Sequence, residues 1–220
     1  MKNSNETKGK TFFGTDGIRG LVGEGNITPE FFMRLGYTAG VVLCEKKTRG
    51  DNCGSRIIIG KDTRLSGYMF ESALQAGLLA AGVDVYLTGP LTTPGVAFLT
   101  KMMNFQAGAV ISASHNSHHF NGIKFFNSDG TKLSDAIERK IETLLDNHDV
   151  VSGQNIAGKS FRIDDSPKKY AEFCVRAFPR GLSLKGWRIV LDCANGATYN
   201  VAGKVFEALG AKVILISASP

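Results

Sequence analysis

The hydrophobic and polar residues of the chain alternate between short apolar runs and longer amphipathic segments. Residues 56–60 (RIIIG) contain three isoleucines in a row, which is typical of a parallel strand that is buried on both faces. Short β-branched runs of this kind predict strands. Further strands are predicted at residues 83–87, 109–111, 123–126, 187–191 and 212–216.

Amphipathic segments between these runs begin with helix-capping residues. Thr28, Pro29 and Glu30 supply an N-cap hydroxyl, a first-position proline and a first-turn acid, which predicts a helix to about residue 45. Similar signals predict helices over residues 68–81, 93–103, 134–145, 166–178 and 199–209. Because strands and helices alternate with short connections, the pattern predicts a doubly wound α/β fold.

Polar, glycine-containing segments predict the domain organisation. We expect a disordered tail at residues 1–10, a surface insertion at 46–55 and a linker within 146–160. These limits predict one α/β domain over 11–150 and the start of a second over 160–220. A strand–helix–strand unit leaves an uncovered sheet edge, so we expect the second domain to be incomplete at residue 220.

Composition narrows the class of ligand. The formal net charge is +6, which suits an anionic ligand. The chain has no dense stripe of Lys and Arg, and its aromatic residues lie mostly inside apolar runs, so we expect no nucleic-acid partner.

The cysteines and the N-terminus indicate a compartment. Cys44, Cys53, Cys174 and Cys193 form no CxxC pair, so neither a zinc ribbon nor a redox motif is predicted. Residues 1–10 contain no apolar signal region, and no stretch is long enough to span a membrane. We therefore expect a cytoplasmic protein in a reducing environment, with no membrane partner.

The strongest candidate for chemistry is residues 108–126, which read GAVISASHNSHHFNGIKFF. An apolar strand stops there at a polar turn that contains Ser114, so the strand fixes the serine and the turn exposes its oxygen. Two more loops add cations, Arg19 within FFGTDGIRG and Lys61 with Arg64 just after the strand at 56–60. Open α/β sheets bind ligands at the carboxyl ends of their strands, and guanidinium groups match phosphate.

Ordinary structural roles are open for the same residues. Ser112 and Ser114 suit loop hydroxyls that bond the backbone, and Lys124 suits a solvated strand face. Three histidines, at 115, 118 and 119, suggest a zinc site. That site is disfavoured because no cysteine or carboxylate lies at the spacing of zinc ligands. A Ser–His hydrolase is disfavoured because there is no GxSxG elbow and because His115, adjacent to Ser114, should point away from it.

Four motifs in this order resemble the N-terminal domain of the α-D-phosphohexomutase superfamily. They are FGTDGIRG at 13–20, GKDTRLSG at 60–67, ISASHN at 111–116 and NGIKFF at 121–126. DGTKL at 129–133 and DCANGAT at 192–198 extend the resemblance over nearly the whole chain from residue 12. It implies a mixed, mostly parallel sheet with helices on both faces, followed by an incomplete second domain of the same type.

The residues of these motifs are most similar to those of one bacterial branch of the superfamily. Members of that branch interconvert glucosamine 6-phosphate and glucosamine 1-phosphate for cell-wall precursors. The resemblance implies that Ser114 carries a phosphoryl group, that the sugar passes through a 1,6-bisphosphate, and that Mg²⁺ holds the phosphoserine. His115 and Lys124 would assist proton transfer or stabilise the transferring group, and Arg19 would lie near it. The implied substrate or phosphate contacts are Thr15, Lys61, Arg64 and Asn116, with orientation of the loop as an alternative role for Arg64.

Two departures from the family limit these expectations. Ser117 stands where the family usually has proline, which frees the backbone of the loop. The family's Asp-Gly-Asp-Gly-Asp-Arg metal loop does not occur in the chain, nor do its sugar-recognition and C-terminal phosphate loops. We therefore expect the 220-residue chain alone to lack turnover.

Several alternatives are open at this point. Sugar specificity could instead be that of a phosphoglucomutase or phosphomannomutase, and the chain could be a non-catalytic fragment that binds sugar phosphates. The resemblance also implies a homodimer through the first domain.

Overall fold

The computed structural model describes residues 12–44, 55–146 and 157–220. The strands are β1 (Ile18–Leu21), β2 (Arg56–Lys61), β3 (Asp84–Pro90), β4 (Ala107–Ile111), β5 (Phe120–Asn127), β6 (Ser160–Arg162), β7 (Arg188–Asp192) and β8 (Lys212–Ile216). The helices are α1 (Pro29–Cys44), α2 (Ser66–Ala80), α3 (Thr93–Met102), α4 (Asp135–Asp146), α5 (Ser166–Ala177) and α6 (Ala202–Ala208).

Six of these strands form one mixed sheet in the order β1-β5-β4-β2-β3-β6. Strand β2 pairs in parallel with β3 and β4, and β3 pairs in parallel with β6. Strand β5 runs antiparallel between β4 and β1. The predicted α/β class and the mixed, mostly parallel sheet are confirmed.

Side-chain alternation along β2 shows why helices cover both faces of this sheet. Ile57 and Ile59 pack into the cluster formed with α1, α2 and α4, which includes Phe32 and Leu74. Ile58, between them, points to the other face and joins the cluster formed with α3 and α5. Because successive strand residues face opposite sides, an uninterrupted apolar run needs a helical layer on each side.

Two strands were not predicted, and both lie at the edges of the sheet. Strand β1 lies within the glycine-rich motif that the sequence indicated as a loop, and β6 begins at the end of the predicted linker. Both are short and lack a run of β-branched residues, so their pairing partners determine them. Because β6 pairs with β3, the first sheet includes a strand from the segment assigned to the second domain, 160–220. The division into two domains stays a prediction.

The second sheet consists of β7 and β8 in parallel, with α6 packed on β8. The predicted tail at 1–10 and most of the predicted insertion and linker lie outside the described residues, as does Cys53. Cys44, Cys174 and Cys193 form no disulfide in the part of the chain that the structure describes. None of the helices in the described ranges has the length and apolar character needed to cross a bilayer.

Candidate active site

The carboxyl ends of β2, β3 and β4 open onto a cleft of about 840 Å³. These three strand ends are aligned because Lys61 pairs with Ile111 on one side and with Pro90 on the other. The cleft lies at the sheet edge where ligands bind in open α/β folds. The lining comes from the segments at the ends of five strands. These segments are residues 62–65 after β2, residues 91–93 after β3, Val110 in β4 with Ser112, Ser114, His115, Asn116 and His118 after it, residues 194–197 after β7, and residues 219–220 after β8.

Ser114 lies in this cleft with its side chain exposed and its backbone in the left-handed region, with φ of 58°. The buried Ser112 hydroxyl oxygen accepts the backbone N–H of Ser114 at 3.0 Å. A non-glycine residue costs energy in this conformation and is kept there only by its surroundings. Ser112 therefore has a structural role, and the strained residue is the exposed candidate nucleophile.

His115 does not point away from Ser114, and that expectation was wrong. The Ser114 Oγ and the His115 Nδ1 are 3.4 Å apart. Neighbouring side chains diverge in an extended strand, but the left-handed φ of Ser114 reverses the backbone at this point. The imidazole is thus within reach of the hydroxyl proton, at the outer limit of a hydrogen bond.

Arg64 was predicted to contact phosphate, but the structure directs its guanidinium at the protein. Its Nε donates to the Asp62 Oδ2 at 2.8 Å. Its two terminal nitrogens donate to four backbone carbonyls of the Ser114 loop, those of Ser114, Asn116, Ser117 and Phe120, at 2.5–3.0 Å. All five N–H donors of the side chain are therefore used by protein oxygens.

Arg19 and Lys124 converge on the carboxylate of Asp16. The Lys124 Nζ lies 2.9 Å from the Asp16 Oδ2, and Arg19 pairs with the same oxygen. The strand register places Arg19 opposite Gly122, two residues from Lys124 along β5, so both cations lie on one face. Lys124 lies on the opposite face from Ile123 and Phe125, as predicted.

Two glycines allow this approach. A Cβ on Gly122 would lie 2.3 Å from the Ile18 oxygen and 2.8 Å from the Arg19 Cγ. A Cβ on Gly17, which has a φ of 90°, would lie 2.2 Å from the Ile123 oxygen. Glycine at both positions therefore lets β1 and its cation lie close against β5.

Asp16 was not proposed as a site residue, although its spacing of three from Arg19 in the same motif was a usable signal. The hydrogen bond from Lys124 is the main reason that the pKa of Asp16 is lowered from its ordinary 3.8. A carboxylate with a depressed pKa contributes stability above its ordinary pKa and loses it as the pH falls through its folded value.

We expect an NMR titration of the Asp16 carboxyl to give a midpoint below 3.8, the ordinary value. The variant Lys124→Met removes the main cause, so the midpoint should move upward. Lys101→Met, which removes a cation on α3, is the matched control and should leave it unchanged. A midpoint of Asp16 that is the same in all three proteins would contradict the ion pair.

Lys61 and Thr15 are not brought to the cleft. Lys61 is buried, its Nζ lies 2.5 Å from the Glu71 Oε2, and it lies 3.7 Å from the centre of the Tyr68 ring. The predicted phosphate contact by Lys61 is therefore replaced by a buried ion pair. Thr15 is exposed on the turn before β1. Thr15, Arg19 and Lys124 are not among the residues that line the cleft, whereas Asn116 is.

One contact that the sequence did not indicate joins the segment after β2 to the turn after β7 across the cleft. The Thr63 hydroxyl donates to the backbone oxygen of Asn195 at 2.7 Å. Ala194 and Asn195 both have positive φ, 48° and 49°, so this turn presents the Asn195 carbonyl to Thr63. The ANG sequence at 194–196 was a turn signal, but only the fold could show which surface the turn meets.

The donor set does not fit a complete magnesium site. Within residues 12–44, 55–146 and 157–220 there is no group of three or more His, Cys, Asp or Glu side chains that could hold a metal ion. Mg²⁺ prefers several oxygen ligands, and in this part of the chain Ser114 would supply one only through an attached phosphate.

A profile of the family described as "Phosphoglucomutase/phosphomannomutase, alpha/beta/alpha domain I" matches residues 10–151. The chain belongs to this family. The match contains Ser114, Arg19, Arg64 and Lys124, whereas residues 194–197 and 219–220 of the cleft lie outside it.

Curated relatives named phosphoglucosamine mutase are similar along almost the whole chain. The protein from Marinobacter nauticus is 56% identical over 211 residues, which are 96% of this chain and 46% of the relative. The protein from Aromatoleum aromaticum is 54% identical over 212 residues, 96% of this chain and 47% of the relative. The chain therefore spans about half the length of the curated relatives it matches.

Solved structures agree with the fold. A phosphoglucomutase/phosphomannomutase family protein from Burkholderia thailandensis has a TM-score of 0.78 at 23% identity and covers 96% of this chain and 44% of its own. A putative phosphomannomutase from Thermus thermophilus has a TM-score of 0.77 at 26% identity, with 96% and 47% covered.

Proposed function

We propose that the whole protein is a phosphoglucosamine mutase and that this chain carries its nucleophile, Ser114. The observation that carries the proposal is an exposed, strained serine in a cleft of a phosphohexomutase domain, with an imidazole 3.4 Å from its hydroxyl. The choice of sugar follows from the relatives, which are named for glucosamine at 53–56% identity.

The reaction consists of two phosphoryl transfers, from Ser114 to the sugar and from the sugar to Ser114. The 1-hydroxyl of glucosamine 6-phosphate attacks the phosphorus of phosphorylated Ser114, the P–Oγ bond breaks, and the hydroxyl proton goes to a base. The product is the 1,6-bisphosphate, which rotates in the cleft so that its 6-phosphate faces Ser114. The Ser114 Oγ then attacks the 6-phosphate, so that glucosamine 1-phosphate leaves and the phosphoserine is restored.

The residues of this chain supply position and charge for these steps. His115 lies where it can take or return the proton at the Ser114 Oγ. Lys124 and Arg19 supply cations on the strand face that continues towards Ser112, and a dianionic phosphate needs such neutralisation. Asn116 lines the cleft beside the nucleophile. The proposal includes Mg²⁺ for the whole protein. Within the described residues, the side chains do not form a site for it.

The test is stoichiometric phosphorylation of the whole protein, of which this chain would be about half, by glucosamine 1,6-bisphosphate with Mg²⁺. Intact mass followed by peptide mapping should show one added phosphoryl group, on Ser114. An unmodified whole protein, or phosphate on a different serine, would overturn the assignment of the nucleophile.

A second step of the same experiment tests the sugar. The phosphorylated whole protein is mixed with glucosamine 6-phosphate, glucose 6-phosphate or mannose 6-phosphate, and loss of the phosphoryl group is followed by mass. The glucosamine compound should discharge it fastest. Faster discharge by glucose or mannose 6-phosphate would favour a phosphoglucomutase or phosphomannomutase instead, with the same nucleophile.

The cellular setting is part of the same proposal. A cytoplasmic location fits the sugar phosphates, which are small and charged. The homodimer through the first domain stays a prediction, to be checked by sedimentation of the purified chain.

A further inference from the structure

We propose that Thr63 is a positioning residue whose hydroxyl holds the two walls of the cleft together while the bisphosphate rotates between them. The hydrogen bond from this hydroxyl to the Asn195 oxygen is 2.7 Å long and joins residues that are 132 positions apart. Both residues line the cleft, one after β2 and the other after β7. The inference rests on the proposed function, because it concerns the intermediate of that reaction.

The turn that contains Asn195 is fixed to the sheet of β7 and β8. The Asn195 backbone N–H donates to the Ser217 oxygen at 2.6 Å, and the Asn195 Oδ1 accepts from the backbone N–H of Ser219 at 3.2 Å. The Gly196 N–H donates to the Cys193 oxygen at 2.7 Å. Since these bonds join the turn to the ends of both strands, the Asn195 carbonyl moves with the β7–β8 sheet.

On the other wall, the neighbours of Thr63 are fixed to the segment that carries Ser114. The backbone N–H of Asp62 donates to the Ile111 oxygen at 3.0 Å, at the end of β4. Arg64 donates to the Asp62 carboxylate at 2.8 Å and to the Ser114 oxygen at 3.0 Å. Because Thr63 lies between Asp62 and Arg64, its hydroxyl has a defined position relative to the nucleophile.

A second attachment between the same two parts of the molecule is buried. Val201, just before α6, belongs to the buried cluster that contains Leu91, a residue of the cleft lining. Burial of apolar side chains makes this attachment firmer than a single exposed hydrogen bond. A movement of the β7–β8 sheet about the buried attachment therefore breaks the bond between Thr63 and Asn195 and widens the cleft there.

The proposed reaction depends on a cleft that stays closed. After the first transfer, the bisphosphate carries the phosphoryl group that Ser114 has lost, and it must rotate before the second transfer. If it leaves the cleft first, Ser114 stays without a phosphoryl group and that molecule of the protein stops. Thr63 opposes this loss because its bond to Asn195 joins the wall that contains Ser114 to the wall of residues 194–197.

The test compares three variants of the whole protein with wild type. Thr63→Val replaces the hydroxyl by a methyl group of similar size, and Thr63→Ser keeps the hydroxyl. Thr143→Val is the matched control, because the Thr143 hydroxyl also donates to a backbone oxygen, that of Arg139, but on α4 and outside the cleft lining. Thr63→Ala replaces Thr63→Val if that variant fails to fold.

Each phosphorylated protein is mixed with glucosamine 6-phosphate, and the free 1,6-bisphosphate and glucosamine 1-phosphate released in one turnover are measured. The ratio of bisphosphate to 1-phosphate should rise roughly two- to tenfold in Thr63→Val, as expected for the loss of one hydrogen bond. It should stay at the wild-type value in Thr143→Val and return towards it in Thr63→Ser. The rate of the first transfer should be the same in all four proteins, whereas a general loss of structure would lower it.

The hydrogen bond also has a spectroscopic readout that does not depend on activity. Asn-Gly occurs twice in the chain, at 121–122 and 195–196, so ¹³C-carbonyl asparagine combined with ¹⁵N-glycine labels these two peptide groups selectively. A carbonyl that accepts a hydrogen bond has a ¹³C signal further downfield. The Asn195 signal should therefore move upfield in Thr63→Val and return in Thr63→Ser, while the Asn121 signal stays in place as the internal reference.

Each result decides the proposal. An Asn195 carbonyl signal that is the same in Thr63→Val and wild type would overturn it, since the bond would not exist in solution. A shifted signal with an unchanged product ratio would overturn it too, because the bond would then not retain the bisphosphate. If wild type accepts no phosphoryl group, the proposed function fails, while the carbonyl signal still decides whether Thr63 joins the two walls.

Discussion

Replacement of Ser114 by alanine is expected to abolish phosphorylation of the chain by glucosamine 1,6-bisphosphate. The variant lacks the Oγ that would form the phosphoester, whereas the loop should keep its shape because Arg64 binds backbone carbonyls rather than the Ser114 side chain. Mass spectrometry after incubation should therefore show no added phosphoryl group. Alanine also fits poorly at φ of 58°, so a small loss of stability is expected.

Ser117→Ala is the control for this experiment. Ser117 lies in the same exposed loop, and its hydrogen bonds to Arg64 and Phe120 use its backbone rather than its hydroxyl. It should be phosphorylated at Ser114 like wild type. Full phosphorylation of Ser114→Ala would mean that another residue is the nucleophile, and the proposed reaction would be wrong.

The second large effect is expected at the buried ion pair of Lys61 and Glu71. The two charged groups are 2.5 Å apart, and their side chains are only 3% and 9% exposed. Breaking a buried pair leaves one charge without a partner in a poorly polarisable interior. We expect Lys61→Met or Glu71→Gln to lower the free energy of unfolding by about 3–5 kcal/mol, measured by urea denaturation.

The double variant Lys61→Met/Glu71→Leu separates the cost of an unpaired charge from the value of the pair. Well-packed apolar groups often replace a buried pair at little cost, so the double variant should be more stable than either single one. The buried Glu71 Oε1, which has no hydrogen-bond partner, supports this expectation. Single variants within about 1 kcal/mol of wild type would contradict it, since such losses are typical of exposed pairs.

Local patterns in the sequence predicted most of the fold. The continuous run at 56–60 indicated a strand covered on both sides, and β2 is one. Proline at the first positions of α1, α3 and α5 marked their starts, because its fixed φ suits that position. Strands β1 and β6 were missed because their pairing, with β5 and β3, comes from distant segments.

For the site, the sequence by itself determined which loops carry chemistry and which serine is the candidate nucleophile. A strand that stops at a polar turn is a local feature, and the ordered motifs identified the family. Contacts between distant segments were decided only by the tertiary structure. Asp16, in the turn before β1, forms an ion pair with Lys124 of β5, and Thr63 donates a hydrogen bond to Asn195 across the cleft.

Tertiary structure also decided what each cation does. Lys61 and Arg64 are three residues apart and equally charged, so the sequence suggested phosphate contacts for both. The first is turned inward onto Glu71, and the second is turned onto the carbonyls of the Ser114 loop. A charge shows only that a partner is needed, and the partner is whichever oxygen the fold brings within hydrogen-bond distance.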